Sequence, residues 1–243
     1  MAAPCDSYPI ARHLGKASQL VGRVFSRGVL KLLRDPKAAA DYWRYIARAA
    51  LYPAQDAQKL LGLPRCKVDE IIPGAESIPV TLINYEYAYG DMPIHELVVL
   101  CRSVRYRKPK VVFEIGTYLG GTTLQIAANS HAKVYTLDLP PQGQKHYVQP
   151  QIYDPELDVY PDHPGVRFQS SAYADRIYQL FGDSQTYDFT PYHGSVDLVF
   201  VDGCHHYESA LHDSQIGLKM VSANGIVMWH DYASYAPGVV RVL

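Results

Sequence analysis

The chain has 243 residues, of which 48% are hydrophobic and 19% are charged, and its formal net charge is −1 at pH 7. This composition is typical of a globular protein with a sizeable buried core, and it excludes a chain that is disordered throughout. The near-neutral charge provides no general affinity for polyanions, so nucleic acid is not an expected partner.

Residues 1–82 are predicted to form an N-terminal helical segment. Two stretches, 19–33 and 38–51, carry apolar residues at three- and four-residue spacing, which is the pattern of amphipathic helices. Pro36 and Pro53 follow the two stretches and break the helical pattern after each of them. The segment is a candidate cover for a substrate cleft and a candidate interface for a homo-oligomer.

Residues 83–243 are predicted to form one domain in which helices alternate with short apolar strands. Strands are predicted at 110–115, 133–139, 176–181, 196–201 and 226–229. Helices are predicted at 92–104, 120–129 and 207–220, the first with Ile94, Leu97, Val98 and Cys101 on one face and the last with Asn224-Gly225 as its stop signal. This order predicts an α/β, Rossmann-like and doubly wound sheet, mostly parallel, with helices on both faces.

The stretch 140–164 is rich in Pro, Tyr, Gln and Asp and has no clear period, so it is expected to be a functional lid or a disordered excursion. No run of about 18 apolar residues could span a membrane, and the N-terminus lacks a signal peptide's apolar core. The four cysteines, Cys5, Cys66, Cys101 and Cys204, form no C-x-x-C pair, so reduced thiols are expected. These features predict a cytoplasmic protein.

A glycine-rich turn at 114–123 joins the first predicted strand to the following helix. Glycines there let the backbone turn sharply beside a ligand, and the helix N-terminus offers N–H groups. Its spacing, G-x-x-x-G-G, differs from the G-x-G-x-x-G of dinucleotide-binding proteins. Asp138 ends the second strand, where a carboxylate can accept both hydroxyls of a ribose. Asp183 follows the third strand and suits an adenine amino group or a turn.

Ionisable residues also follow the fourth and fifth predicted strands. These are Asp202 and His205 after the fourth strand and His230-Asp231 after the fifth. Because ligands bind outside the carboxyl ends of the strands in open parallel sheets, we expect these side chains to converge. Carboxylates suit a hard cation such as Mg²⁺, and histidine suits proton abstraction near neutral pH. Zinc is not favoured, because Cys204-His205-His206 has no second ligand pair at suitable spacing.

In this order, EIGTYLGGTT, TLDLP, GDS, DLVFVDGCHHYE and GIVMWHDY resemble the class I S-adenosylmethionine (SAM)-dependent methyltransferases. The nearest branch contains the macrocin- and mycinamicin-type sugar O-methyltransferases and related cephalosporin-biosynthesis proteins. The resemblance covers residues 85–240 and implies a seven-stranded sheet with SAM across the first two strand ends. It implies that Glu114, Gly116, Gly120 and Asp138 line the SAM pocket. The further candidate cofactor-binding residues are Thr117, Tyr118, Thr122, Asp183 and Asp202.

The resemblance also implies roles for the residues after the fourth and fifth strands. In metal-dependent members, the positions that match Asp202, His230 and Asp231 bind Mg²⁺, and the histidine that matches His205 is the general base. Here the first residue of the usual acidic pair is His230. The family fold continues past the fifth strand, whereas this sequence ends at Leu243, so the C-terminal strands are expected to be missing.

The predicted function is SAM-dependent O-methylation of a hydroxyl on a small molecule or sugar. Assistance of the reaction by Mg²⁺ is left open. A non-catalytic SAM-binding or interaction domain is the alternative, prompted by His230 and by the early C-terminus. A third interpretation, an NAD(P)-dependent oxidoreductase, requires the G-x-G-x-x-G spacing that the glycine turn lacks.

Overall fold

The computed structural model describes residues 62–86 except 65, 91–141, and 162–243 except 234. The helices predicted at 19–33 and 38–51, most of the 140–164 stretch and Cys5 lie outside these residues. The division of the chain at residue 82 therefore stays a prediction. Among the described residues, no helix combines the length and the apolar character needed to cross a membrane.

Five strands form one sheet in which every neighbouring pair is parallel. They are β1 (Val111–Ile115), β2 (Lys133–Asp138), β3 (Ile177–Phe181), β4 (Val196–Val201) and β5 (Val221–Trp229). Their order, β3-β2-β1-β4-β5, confirms the predicted Rossmann-like fold. The order reverses between β1 and β4, and ligands bind at such a switch point. The resemblance implies seven strands, and the described residues contain five of them.

Six helices lie in the described residues, together with three 3-10 turns at Ala75–Ser77, Ala174–Arg176 and Thr190–Tyr192. The helices are α1 (Val68–Ile71), α2 (Ile94–Arg107), α3 (Gly121–Ala128), α4 (Val166–Gln169), α5 (Tyr207–Met220) and α6 (Pro237–Val242). Pro93 is extended, so α2 begins after it, later than predicted. Of the residues predicted to share one face of α2, Leu97 and Cys101 are buried, whereas Ile94 at its start is 48% exposed.

The alternation of side chains along β1 divides the core into two layers, one on each face of the sheet. Val112 joins one apolar cluster with Leu100 of α2 and Ile126 of α3. Phe113 joins the other cluster with Val199 of β4 and Met220 of α5. Helices therefore cover both faces, and the loops at the carboxyl ends of the strands are left for a ligand.

The start of β5 differs from its prediction. Helix α5 ends at Met220 and β5 begins at Val221, so Asn224-Gly225 lies inside the strand and does not end the helix. The pairing with β4 contains an irregularity between Val196 and Leu198, and a side chain at position 225 would lie 2.8 Å from the carbonyl oxygen of Val196. A glycine fits there because the two strands approach closely at the irregularity.

Two buried amides, Gln125 in α3 and Asn129 directly after it, bind the segment that precedes α2. Asn129 accepts a hydrogen bond from the N–H of Thr81 and donates one to its carbonyl oxygen, each at 2.8 Å. Gln125 makes the same pair of contacts with Ile83, also at 2.8 Å. The side chains thus pair with the backbone as a neighbouring strand would, and this places residues 81–83 against the domain.

Candidate active site

Backbone hydrogen bonds continue one residue past the carboxyl ends of the strands and join the loops into one rim. The donors are the N–H groups of Gly116, Gly182, Asp202 and His230, at 2.9, 2.9, 2.8 and 3.0 Å from carbonyl oxygens of the neighbouring strands. The predicted convergence of the residues that follow β1, β4 and β5 is therefore present. Asp138 ends β2 on the same rim and accepts the bond from Gly182 through its carbonyl oxygen.

The glycine turn is held by Asp138. Oδ2 of this carboxylate accepts hydrogen bonds from the N–H groups of Thr117 and Tyr118, at 2.8 and 2.7 Å. Tyr118 has a φ of 47°, a left-handed conformation that costs energy for a residue with a side chain. The two N–H bonds to one charged oxygen offset that cost. Asp138 thus shapes the turn as well as standing at the predicted ribose position.

Two glycines in the turn are required by close approach. A side chain at Gly116, whose φ is 104°, would lie 2.0 Å from the carbonyl oxygen of Asp202. At Gly120, whose φ is 79°, it would lie 2.4 Å from the ring of Phe168. The turn can therefore lie against both the β4 loop and α4 only because these positions lack a Cβ.

Glu114, a predicted cofactor-binding residue, lies beneath the turn and is 1% exposed. Its Oε2 accepts hydrogen bonds from the hydroxyls of Thr123 and Thr136. Burial raises the pKa of this carboxyl to about 8. The two hydrogen bonds favour the charged form, but their effect is smaller than the cost of removing the charge from water. The contacts of Glu114 are those of a support for the turn, and its cofactor-binding role stays a prediction.

Replacing Glu114 with glutamine is expected to flatten the dependence of stability on pH. Between its ordinary value of 4.5 and the raised value of about 8, the folded chain holds a proton that the unfolded chain has lost. Wild-type stability should therefore fall as the pH rises through this window, with a contribution from Glu114 of up to about 1.4 kcal/mol per pH unit. Urea unfolding of both proteins from pH 5 to pH 8 measures this, and parallel curves would contradict it.

The remaining predicted cofactor residues lie at either end of the turn. Thr122 is in the first turn of α3 and lines a cleft with Asp91, Met92 and Arg167. Arg167 forms a bidentate pair with Asp91, at 2.8 and 2.9 Å, which the sequence analysis did not anticipate. Asp183 accepts a hydrogen bond from the N–H of Gln185 at 2.9 Å, the geometry of a turn.

Two histidines and two aspartates form a compact cluster at the ends of β4 and β5. Nε2 of His205 lies 2.6 Å from Oδ2 of Asp231. Nδ1 of His230 lies 2.9 Å from that same oxygen and 2.9 Å from Oδ1 of Asp202. Tyr235 donates a hydrogen bond to Oδ1 of Asp231 at 2.6 Å. The predicted base and the predicted metal ligands are thus in mutual contact.

Burial and the neighbouring charges oppose each other at His230. Burial lowers the pKa of the imidazole, but the hydrogen bonds to Asp202 and Asp231 and the charges of these residues have a larger, opposite effect and raise it to about 11. At Asp231 burial raises the pKa, and the bonds to His205 and His230 hold it well below its usual range. Burial raises the pKa of Asp202 despite its contact with His230. Near neutral pH, His230 is therefore positive and Asp231 negative.

Glu96 extends this cluster from a different part of the chain. Its Oε2 lies 2.7 Å from Nε2 of His230, on the opposite side of the ring from the two aspartates. Glu96 belongs to α2, which precedes the sheet, and no motif in the sequence pointed to it. The one signal for Glu96 in the sequence was its position in the first turn of a predicted helix, and this helix packs against β1.

The contacts of His230 decide how well the site suits Mg²⁺. Asp202, His230 and Asp231 each place a ligand atom within 4.8 Å of the others, so the predicted metal ligands converge. However, Mg²⁺ prefers oxygen ligands, and here one donor is an imidazole nitrogen whose ring contacts a carboxylate at each nitrogen. The donor set therefore does not fit Mg²⁺.

Residues 113–232 match the family model described as methyltransferase domain. The chain is also similar to solved structures. One is the SAH-bound methyltransferase PaMTH1 of Podospora anserina, with 19% identity, coverage of 82% of each chain and a TM-score of 0.45.

Two further solved structures are O-methyltransferases. TomG of Streptomyces achromogenes, which is involved in tomaymycin synthesis and was solved with SAM, shares 15% identity over 75% of this chain and 78% of its own, with a TM-score of 0.45. An enzyme of Bacillus cereus, solved with SAH, shares 14% identity over 78% of this chain and 82% of its own, with a TM-score of 0.46.

Proposed function

We propose that this protein transfers the methyl group of SAM to a hydroxyl of a small molecule or sugar, because residues 113–232 match the model of a methyltransferase domain and the sheet has the strand order β3-β2-β1-β4-β5. One observation carries the proposal: the glycine turn with Asp138 and the cluster of His205 and Asp231 lie on one rim of the sheet. Cofactor and acceptor could therefore meet there, as ligands do at a switch point.

The turn and the strand ends supply the features that a nucleoside cofactor needs. Gly116 and Gly120 let the turn pack against the β4 loop and α4, and α3 begins at Gly121 with its N–H groups directed to the same rim. Asp138 stands where a carboxylate binds ribose hydroxyls, and Asp183 follows β3 at the position assigned to adenine. These residues, with Thr117, Tyr118 and Thr122, form the proposed SAM site.

The pair of His205 and Asp231 supplies the base. Asp231 lies 2.6 Å from Nε2 of His205, so it fixes the ring and stabilises the positive charge formed when the ring takes a proton. The acceptor's hydroxyl oxygen attacks the methyl carbon in line as the carbon–sulfur bond breaks. The bonding pair stays on sulfur, which leaves SAH, and the hydroxyl proton passes to His205. Holding the reactants close supplies most of the rate gain.

Calorimetry with SAH tests the cofactor assignment. Replacing Asp138 with asparagine keeps an oxygen that can accept the turn's N–H bonds but removes the charge. Because a hydrogen bond to a charged group contributes about 1.5–3 kcal/mol, affinity for SAH should fall by about 10–150-fold. Asp188→Asn is the matched control, because Asp188 is exposed and its hydrogen bonds within the described part of the chain go to Thr190 of its own turn. If wild type binds NADH and not SAH, the proposal is wrong.

A methyl-transfer assay tests the reaction itself. SAM and a panel of hydroxylated sugars and small metabolites are incubated with the full chain, and SAH formation is measured. Transfer to an oxygen atom, located by mass spectrometry and NMR of the product, is the expected result. Binding of SAH without transfer to any member of a broad panel would support the non-catalytic alternative.

A further inference from the structure

Glu96 reaches the proposed base through two intermediate side chains. Glu96 contacts Nε2 of His230 at 2.7 Å, Nδ1 of His230 lies 2.9 Å from Asp231, and Asp231 lies 2.6 Å from His205. These residues come from α2, from the end of β5 and from the loop after β4. A continuous line of contacts therefore ties the base to a helix that precedes the sheet in sequence.

We propose that Glu96 is a positioning residue that orients His230, and that His230 cross-links Asp202 and Asp231 in the place that the family resemblance gives to Mg²⁺. The frame that holds the base is then built from protein hydrogen bonds and works without a divalent cation. The proposal rests on the proposed function for its role in turnover, but its geometry can be tested without turnover.

The hydrogen-bonding inventory of the ring supports this assignment. Ionised carboxylates only accept hydrogen bonds, so a ring with a carboxylate at each nitrogen donates from both. A nitrogen that donates has no lone pair for a metal ion. Nδ1 lies at equal distances of 2.9 Å from oxygens of Asp202 and Asp231, so one group brings the two carboxylates together, which is the task of a bridging cation.

Burial makes the arrangement specific. The side chains of His230 and Asp231 are 13% and 8% exposed, so their contacts are shielded from solvent. Two carboxylates that converge in such a place require a positive group between them. The side chain of Glu96 is 44% exposed, so it does not fill the core. Its role is to fix the orientation of the His230 ring. Substituting Glu96 is therefore not expected to unfold the chain.

The first measurement uses the wild-type chain after dialysis against a chelator. Long-range ¹H–¹⁵N spectra of histidine-labelled protein are expected to show a proton on both ring nitrogens of His230 at pH 7. Addition of millimolar Mg²⁺ should leave these signals unchanged, and calorimetry should detect no Mg²⁺ binding. A His230 nitrogen without a proton, or signals that change with Mg²⁺, would overturn the proposal.

Variants test the two residues separately. Glu96→Gln should alter the Nε2 signal of His230 and lower kcat about tenfold or more with the acceptor found above, while the Kd for SAH is unchanged. Glu70→Gln is the control, because Glu70 is an exposed residue of α1. His230→Asp restores the acidic pair and should acquire Mg²⁺ binding. Circular dichroism verifies that each variant is folded.

The outcomes separate the two proposals. Loss of wild-type turnover in chelator and its return with Mg²⁺ would overturn the inference. An E96Q variant whose His230 spectrum and kcat match those of the wild type would also overturn it. Failure of SAH to bind would overturn the proposed function alone, because the NMR and Mg²⁺ measurements need neither SAM nor an acceptor.

Discussion

Replacing His205 with alanine is expected to lower kcat for methyl transfer by about 10²–10⁴-fold, the usual contribution of a general base. The variant loses the group that takes the hydroxyl proton, while Asp138 and the glycine turn keep their contacts on the other side of the rim. The Kd for SAH should therefore stay at its wild-type value. Single-turnover kinetics with the identified acceptor, together with calorimetry, measures both quantities.

His193→Ala is the matched control for this prediction. His193 is exposed and follows the 3-10 turn Thr190–Tyr192, so its removal should leave both kcat and the Kd for SAH unchanged. Wild-type turnover by the His205 variant would show that another group takes the proton. A parallel loss of SAH binding would instead show that His205 acts in the cofactor site.

Replacing Gly116 with alanine is expected to abolish SAH binding and to destabilise the fold. The new Cβ would lie 2.0 Å from the carbonyl oxygen of Asp202. The backbone of residue 116 fixes the position of the Cβ and the oxygen is a backbone atom, so neither can move away by a change of rotamer. Overpacking together with the positive φ of 104° should cost on the order of 3–5 kcal/mol. Urea unfolding and calorimetry with SAH measure the two effects.

Gly194→Ala separates the two contributions to this cost. Gly194 also has a positive φ, 64°, but an added Cβ would have no neighbour within 4 Å. This variant should lose only about 1–2 kcal/mol from backbone strain and should bind SAH normally. Equal destabilisation of the two variants would mean that the contact between Gly116 and the β4 loop has no special importance.

Most of the fold could be predicted because each buried parallel strand is a short apolar run that ends at a polar residue. The prediction for β4 at 196–201 and that for α5 at 207–220 match the structure to the residue. The start of β5 could not be predicted, because the pairing of Val221 with Val196 depends on a neighbouring strand and overrides the turn signal of Asn224-Gly225. The exposure of Ile94 could not be predicted, because periodicity gives the face of a helix but not whether a neighbouring element covers its first turn.

The sequence by itself determined which side chains stand at the ends of the strands. Since parallel strands end at one edge, it also determined that Asp138, Asp202, His205 and Asp231 share a rim. Only the tertiary structure decided what these side chains contact. The insertion of His230 between two carboxylates, its contact with Glu96 and the capping of the turn by Asp138 each join residues far apart in the chain. Such contacts depend on packing distances, which no local pattern of residues encodes.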